Sequence, residues 1–233
     1  MIGSVHLADL GPRARWRALT TARPAHSHSV IAVGLGGSFL ISPDLRRVGL
    51  IALWDNEKEL DSFLATHPLA DILDGGWWVR LAPVRASGTW PGLPGNLPRD
   101  HAAETGGPAA VLTLGRLRPS QSVRFRRASA RAEARLAETE GVLWATGLAR
   151  PPLVATFSLW RSTAALTSYA YRDRAHAEVL RARPFHRRSA FVRFRPYQSE
   201  GWLDGRNPLP ADWAAREYGR SPASLTHRTY RDR

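Results

Sequence analysis

The sequence predicts an α+β fold in which two βαββαβ units on one chain pack together as a barrel. Three observations predict it. Short β-rich runs alternate with 3.6-period helical stretches in the order strand, helix, strand, strand, helix, strand, and then do so again. An internal repeat relates the two sets: LIALWDNEKELDSFL (50–64) parallels TFSLWRSTAALTSYA (156–170), and WWVRLAPVRASGTW (77–90) parallels AFVRFRPYQSEGWL (190–203). Between the sets lies PGLPGNLPRDHAAETGGP (91–108), with four prolines and four glycines in 18 residues, which reads as a linker.

In the first unit, strands are expected at 3–8, 28–38, 48–54 and 77–84, with helices at 12–23 and 57–73. Each strand is a Val/Ile/Leu/Trp run bounded by Gly, Pro or Ser, and Leu60, Phe63 and Leu64 mark the apolar stripe of the second helix. In the second unit, strands are expected at 108–117, 141–148, 153–160 and 189–197, with helices at 123–139 and 162–182. This order defines the split βαβ, ferredoxin-like unit. Two such units in one chain give a pseudo-dimeric α/β barrel, divided as 1–90, a linker at 91–107, 108–202 and a tail at 203–233. In the tail a short helix is expected at 211–218, with Trp213 and Tyr218 packing on the barrel.

The halves differ at one place. The second helix of the first unit meets His67-Pro68, which interrupts backbone hydrogen bonding, whereas its counterpart reads on without proline through His176. At 100° per residue, Ala165, Tyr169, His176, Val179 and Leu180 share one stripe, so an imidazole is aimed at the sheet. A histidine on such a face is either a core residue or a ligand, and position alone does not choose.

Composition narrows the chemistry. The chain has 233 residues, 43% hydrophobic, enough for a full core. No cysteine occurs, which excludes disulfides, thiolate ligands, iron–sulfur clusters and cysteine nucleophiles. The first residues lack the apolar run of a signal peptide and no stretch approaches 18 apolar residues, so a cytoplasmic protein without stable membrane insertion is expected. Arginine supplies 32 of the 33 basic side chains in a net charge of +13. That excess fits either phosphate binding or compositional bias, and its scatter favours bias. VGLGGSF lacks a dinucleotide fingerprint, and neither a P-loop nor a G-x-S-x-G elbow is present.

The stretch TFSLW…YAYRDRAHAEVL…FVRFRP, with RLAPVRASGTW (80–90), AVLTLGRLRP (110–119) and GLARPPLVATFSLW (147–160), resembles the spheroidene monooxygenase (acyclic carotenoid 2-ketolase) family. The resemblance runs in order from the first strand to about Trp202. It implies a haem b-dependent monooxygenase on a ferredoxin-like barrel, with His176 as the iron ligand, much as the chlorite dismutase group takes an axial histidine from its second unit. Arg193 recurs in the family's A-R-F, which implies a distal or propionate-binding cation that polarises bound oxygen, the alternative being an outward arginine on a strand. Arg172, one turn before His176, reads either as a propionate partner or as part of a solvated helix face, and His186 as a distal base, an alternative ligand or a loop residue with neither role. Trp144, Phe157 and Phe194 suit the walls of a flat macrocycle pocket. Two departures stand out. Phe185-His186-Arg187-Arg188-Ser189-Ala190 replaces the family's acidic pair before the last strand, and no lysine stands near Trp144-Ala145-Thr146-Gly147. The substrate or reaction can therefore differ from carotenoid ketolation.

The expected partners are a small apolar organic substrate, O₂ or peroxide, and no nucleic acid, with the electron donor and homo-oligomerisation open. Alternative readings are haem-dependent dehydration or N–O chemistry, cofactor-free oxygenation, and a basic nucleic-acid-binding protein. Against the last, the RNP1 pattern is missing and facing sheets would bury the stacking surface.

Overall fold

The computed structural model describes residues 1–25, 27–35, 44–93, 107–172, 185–209 and 213. The first half runs β1 (Ile2–Asp9), α1 (Pro12–Thr20), β2 (Ser27–Leu35), β3 (Arg47–Trp54), α2 (Glu57–Thr66), α3 (Pro68–Leu73) and β4 (Trp77–Gly88). The second runs β5 (Ala109–Leu117), a 3₁₀ turn (Pro119–Gln121), α4 (Ser122–Ala137), β6 (Val142–Arg150), β7 (Leu153–Trp160), α5 (Thr163–Arg172) and β8 (His186–Gly201). The eight strands close a barrel in the order β1-β3-β2-β6-β7-β5-β8-β4. Every ladder is antiparallel, and the halves join through β2–β6 and β4–β8.

Alternation along the strands sorts residues between two faces. Val5, Leu7, Ile51, Leu53, Trp77, Val79, Leu112, Leu148, Phe157, Val192 and Phe194 belong to one buried cluster that draws on all the strands, the barrel interior. Leu203, Leu209 and Trp213 extend this cluster, and Trp77 Nε1 donates to Ser199 Oγ (2.8 Å) and Asn207 Oδ1 (3.1 Å), tying the segment after β8 to the barrel. The interior is filled tightly. A Cβ on Gly49 would lie 2.6 Å from Leu148 Cδ1 and 2.8 Å from Leu7 Cδ2.

The opposite face of the first half is covered by α1, α2 and α3. Ile31, Val48, Leu50 and Trp54 pack there against Ala18, Leu60, Phe63 and Leu69. Two polar groups are built into this layer. His6 stands between Phe63 and Trp78, its Nε2 2.9 Å from Ser4 Oγ, which also accepts from Trp54 Nε1 at 2.9 Å. Arg80 lies over Trp78 and donates to Glu57 Oε2 and Asp61 Oδ1, each at 2.6 Å, while the Tyr197 hydroxyl donates to Glu57 Oε1. Burial lowers the Arg80 affinity for its proton, but the hydrogen bonds and charges of Asp61 and Glu57 outweigh it and raise the pKa.

Some boundaries differ from expectation for local reasons. α1 ends at Thr20, where the Thr20 and Thr21 hydroxyls bond back to the Trp16 and Arg17 carbonyls and the chain turns extended towards Pro24. The stretch 57–73 breaks at Pro68 as expected, into α2 and α3, because His67 adopts extended geometry before the proline and its Nδ1 caps α3 by accepting from Leu69 N. The last strand begins at His186 rather than 189, paired across a bulge with Leu117. His186 is therefore a strand residue, not the loop residue expected. Residues 173–184, including His176, lie outside the described residues, as do most of the linker and Tyr218.

A methyl group at position 49 should overpack the interior, so Gly49→Ala is expected to lose about 1–3 kcal/mol in chemical denaturation. Burial, and then the charge of Arg80, push the His6 imidazole down to about 3 from its ordinary 6.5. The unfolded chain thus takes up a proton below pH 6.5 that the folded chain refuses. Stability from this group is complete above pH 6.5 and falls towards pH 3, by about 1.4 kcal/mol per pH unit. His6→Gln should flatten that part of a stability-against-pH profile, whatever it does to stability at neutral pH.

Candidate active site

The registers place the two halves in one-to-one correspondence. Ile2 pairs with Trp54 and Ala109 with Trp160, so β5 follows β1 with His6 matched by Thr113 and Ala8 by Gly115. Leu50 corresponds to Thr156 and Ile31 to Gly147, since Ile31 pairs with Leu50 and Gly147 with Thr156. Trp78 and Arg80 correspond to Phe191 and Arg193, which pair with Thr113 and Val111 as Trp78 and Arg80 pair with His6 and Ser4. The helices agree as well. α2 starts at Glu57 and α5 at Thr163, each after a Leu-Trp strand end, with Asn56 and Ser162 accepting from Glu59 N and Ala165 N.

On the helix-facing side this correspondence exposes an asymmetry. His6, Ala8, Ile31 and Leu50 fill the first half, and all are buried; Thr113, Gly115, Gly147 and Thr156 stand at the same places in the second. The floor is trimmed by several side chains. Among the described residues the buried apolar cluster on this side is small, built on Ala109, Val111, Trp160 and Leu166, with the Tyr169 ring tilted against Trp160 at 5.2 Å. Thr156 is exposed although it lies on β7, inside the sheet, and Phe191 on β8 is 39% exposed. Across from this floor, α4 presents Phe125, Ala128, Ser129 and Ala132, all only half-buried. Among the described residues this face, referred to below as the slot, is thus lined by smaller and less buried side chains than its first-half counterpart.

Arg193 sits on this floor with 8% exposure. Its first-half equivalent, Arg80, is neutralised by Glu57 and Asp61. By helix position those two carboxylates correspond to Thr163 and Thr167. A buried guanidinium is thus kept at one site while the helix residues that balance it elsewhere become hydroxyls. The sequence carries this signal in the alignment of EKELD (57–61) with TAALT (163–167).

His186 lies on the same side. Its ring covers Gly115, where a Cβ would meet Nε2 at 2.5 Å, and meets Phe125 of α4 edge to face at 5.3 Å. Burial lowers its pKa, so the ring is neutral at pH 7. Its Nε2 is buried without a hydrogen-bond partner among the described residues. The neighbouring Phe185 packs on Phe125 and lies under the Arg124 guanidinium.

The structure brings Arg193 and His186 to one face. It puts Trp144, Phe157 and Phe194 on the other, in the barrel interior, where Trp77 packs against Trp144 and Phe157 at 6.0 and 6.2 Å. Those three do not share a pocket with Arg193, because consecutive strand residues such as Arg193 and Phe194 point to opposite sides. Aromatic groups on the slot side are Phe191, Trp160, Tyr169 and Phe125. Arg172 closes the described part of α5, and His176 is outside it. Among the described residues no group of three or more His, Asp or Glu side chains could hold a metal ion, and no helix is long and apolar enough to cross a membrane.

No family model matches the chain. Over 182 residues it is 32% identical to the spheroidene monooxygenase of Rubrivivax gelatinosus, covering 76% of this chain and 70% of that protein. It is 26% identical over 198 residues to the spheroidene monooxygenase of Rhodobacter capsulatus, covering 79% and 80%. Among solved structures, aldoxime dehydratase in complex with butyraldoxime shares the fold at a TM-score of 0.50 and 8% identity, over 93% of this chain and 85% of that one. The trimmed, arginine-bearing face therefore belongs to an oxidoreductase, and the chain is a member of the spheroidene monooxygenase family.

Proposed function

We propose that this protein is a haem-dependent monooxygenase acting on a largely apolar organic substrate of carotenoid or natural-product type, with the slot beside Arg193 as its active site. The observation that carries the reading is the asymmetry between equivalent faces. Where the first half is packed with His6, Leu50 and Ile31, the second leaves a floor of glycine and threonine under half-buried helices. Residues of this kind fit a flat macrocycle: small side chains admit it, aromatic groups contact its faces, and a buried cation meets its carboxylates.

His176, seven residues beyond Tyr169 in the sequence that follows α5, would hold the haem iron. Arg193 offers charge and hydrogen-bond donors to anionic or polar groups in the slot, where low dielectric strengthens them. His186 is neutral and its buried Nε2 is poised to exchange a hydrogen bond or a proton with a bound group. Phe191 and Phe125 exclude water and hold apolar surface. Haem, when bound, supplies activation of O₂ or peroxide. Residues 1–90 and 108–202 are read as copies of one duplicated unit, the first kept as scaffold and the second as site, joined by 91–107 and followed by the tail 203–233.

Protein expressed with a haem precursor should show an intense Soret band that is lost or shifted in His176→Ala. A colourless protein that remains colourless on addition of hemin would overturn the haem reading and leave cofactor-free oxygenation. Restoring first-half bulk to the floor with Thr156→Leu should weaken hemin binding at least about tenfold in a titration of apoprotein, without lowering the melting temperature, because the leucine fills space that Leu50 fills in the other half. Unchanged hemin affinity in that variant would place the cofactor elsewhere.

A further inference from the structure

The exposed side of α1 carries a second functional feature, far in sequence from the slot. Its outward stripe is Arg13, Trp16 and Arg17, at helical spacing, and Trp16 is 70% exposed. The turn that carries Leu45, 53% exposed, is tied to this helix, since Arg15 Nη1 donates to the Leu45 carbonyl at 2.6 Å and Leu10 N to the Arg46 carbonyl at 2.7 Å. An exposed tryptophan on the helix and an exposed leucine on the turn tied to it are thus accompanied in sequence by Arg13, Arg15, Arg17 and Arg46.

Acidic groups nearby are already engaged. Asp44 pairs with Arg46 at 3.5 Å, and Asp9 and Asp204 are both held by Arg47. Among the described residues Arg13, Arg15 and Arg17 enter no ion pair, so α1 presents positive charge on the same short helix as Trp16. An indole among arginines matches the interface of a bilayer, where the ring sits at headgroup level and guanidinium groups pair with phosphates. Nucleic acid would use the arginines but gives an exposed leucine nothing to bury in.

We propose that α1 and the Leu45 turn form a docking surface for anionic lipid bilayers, with Trp16 and Leu45 entering the interface and Arg13, Arg15, Arg17 and Arg46 binding headgroup phosphates. This surface is independent of the cofactor reading, since it uses none of the slot residues. It attaches the protein peripherally, without a spanning segment. For an enzyme with an apolar substrate, it places the molecule where such a substrate dissolves.

The test is co-sedimentation of the full chain with vesicles of phosphatidylcholine containing about a quarter phosphatidylglycerol, beside vesicles of phosphatidylcholine alone. Wild type should bind the anionic vesicles, less so at high salt, with its tryptophan emission quenched by brominated lipid. Arg13→Gln with Arg17→Gln should weaken binding about 25-fold, from about fivefold per charge. Trp16→Ala with Leu45→Ser should remove most of the quenching. All four side chains are solvent-facing, and the Thr20 and Thr21 hydroxyls cap the helix, so melting temperatures should stay unchanged and confirm folded variants. Failure of wild type to bind either vesicle would overturn the proposal, as would variants that bind equally well. Retention on RNA without vesicle binding would assign the surface to nucleic acid instead.

Discussion

The structure depends on the two-sidedness of a closed antiparallel sheet. Every strand contributes alternate residues to one interior, and closure leaves no free edge, so backbone hydrogen bonds and the largest apolar cluster are satisfied together. The barrel is then held from within, by Leu7, Leu148, Phe157, Val192 and Phe194 among others. The outer face of each half is released from that duty. In the first half it carries a large second packed layer; in the second half the cluster among the described residues is smaller.

Arg80 and Arg193 show how one position can serve two ends. Both are buried on equivalent strands, and burying a guanidinium is tolerable only where charges or hydrogen bonds compensate. In the first half the compensation is internal, from Glu57, Asp61 and the stacked Trp78, and the result is a structural tie between α2 and β4. In the second, Thr163 and Thr167 replace the acids and Phe191 replaces the tryptophan. The same buried arginine position is thus set against carboxylates of the helix in one half and hydroxyl-bearing residues in the other. His186 follows the same logic, since Gly115 in place of alanine makes room for its ring.

Much of the fold was legible because its signals are local. Leu-Trp strand ends and the Pro68 break each act within a few residues, and the alternation of strand and helix patterns gives the order of elements. The faces were harder. Trp144, Phe157 and Phe194 look like pocket walls by composition, but side-chain direction on a strand has period two and a bulge resets it, as between Val142 and Trp144. His186 read as a loop residue because its pairing with Leu117 runs across such a bulge. The packed His6, Trp78 and Arg80 group was not foreseen, since its members come from β1, β4, α2 and β8.

By itself the sequence determined the order of elements, the repeat, the exclusion of thiol chemistry and, through its motifs, the family. These follow from propensity, periodicity and residue identity, which are properties of neighbours along the chain. Only the tertiary structure decided which face each residue occupies, that Arg193 and His186 share a side while Phe194 does not, and that the Leu45 turn is tied to α1 by the Arg15 hydrogen bond. The reason is physical: burial and contact are set by ladder register and barrel closure, which join residues far apart in sequence.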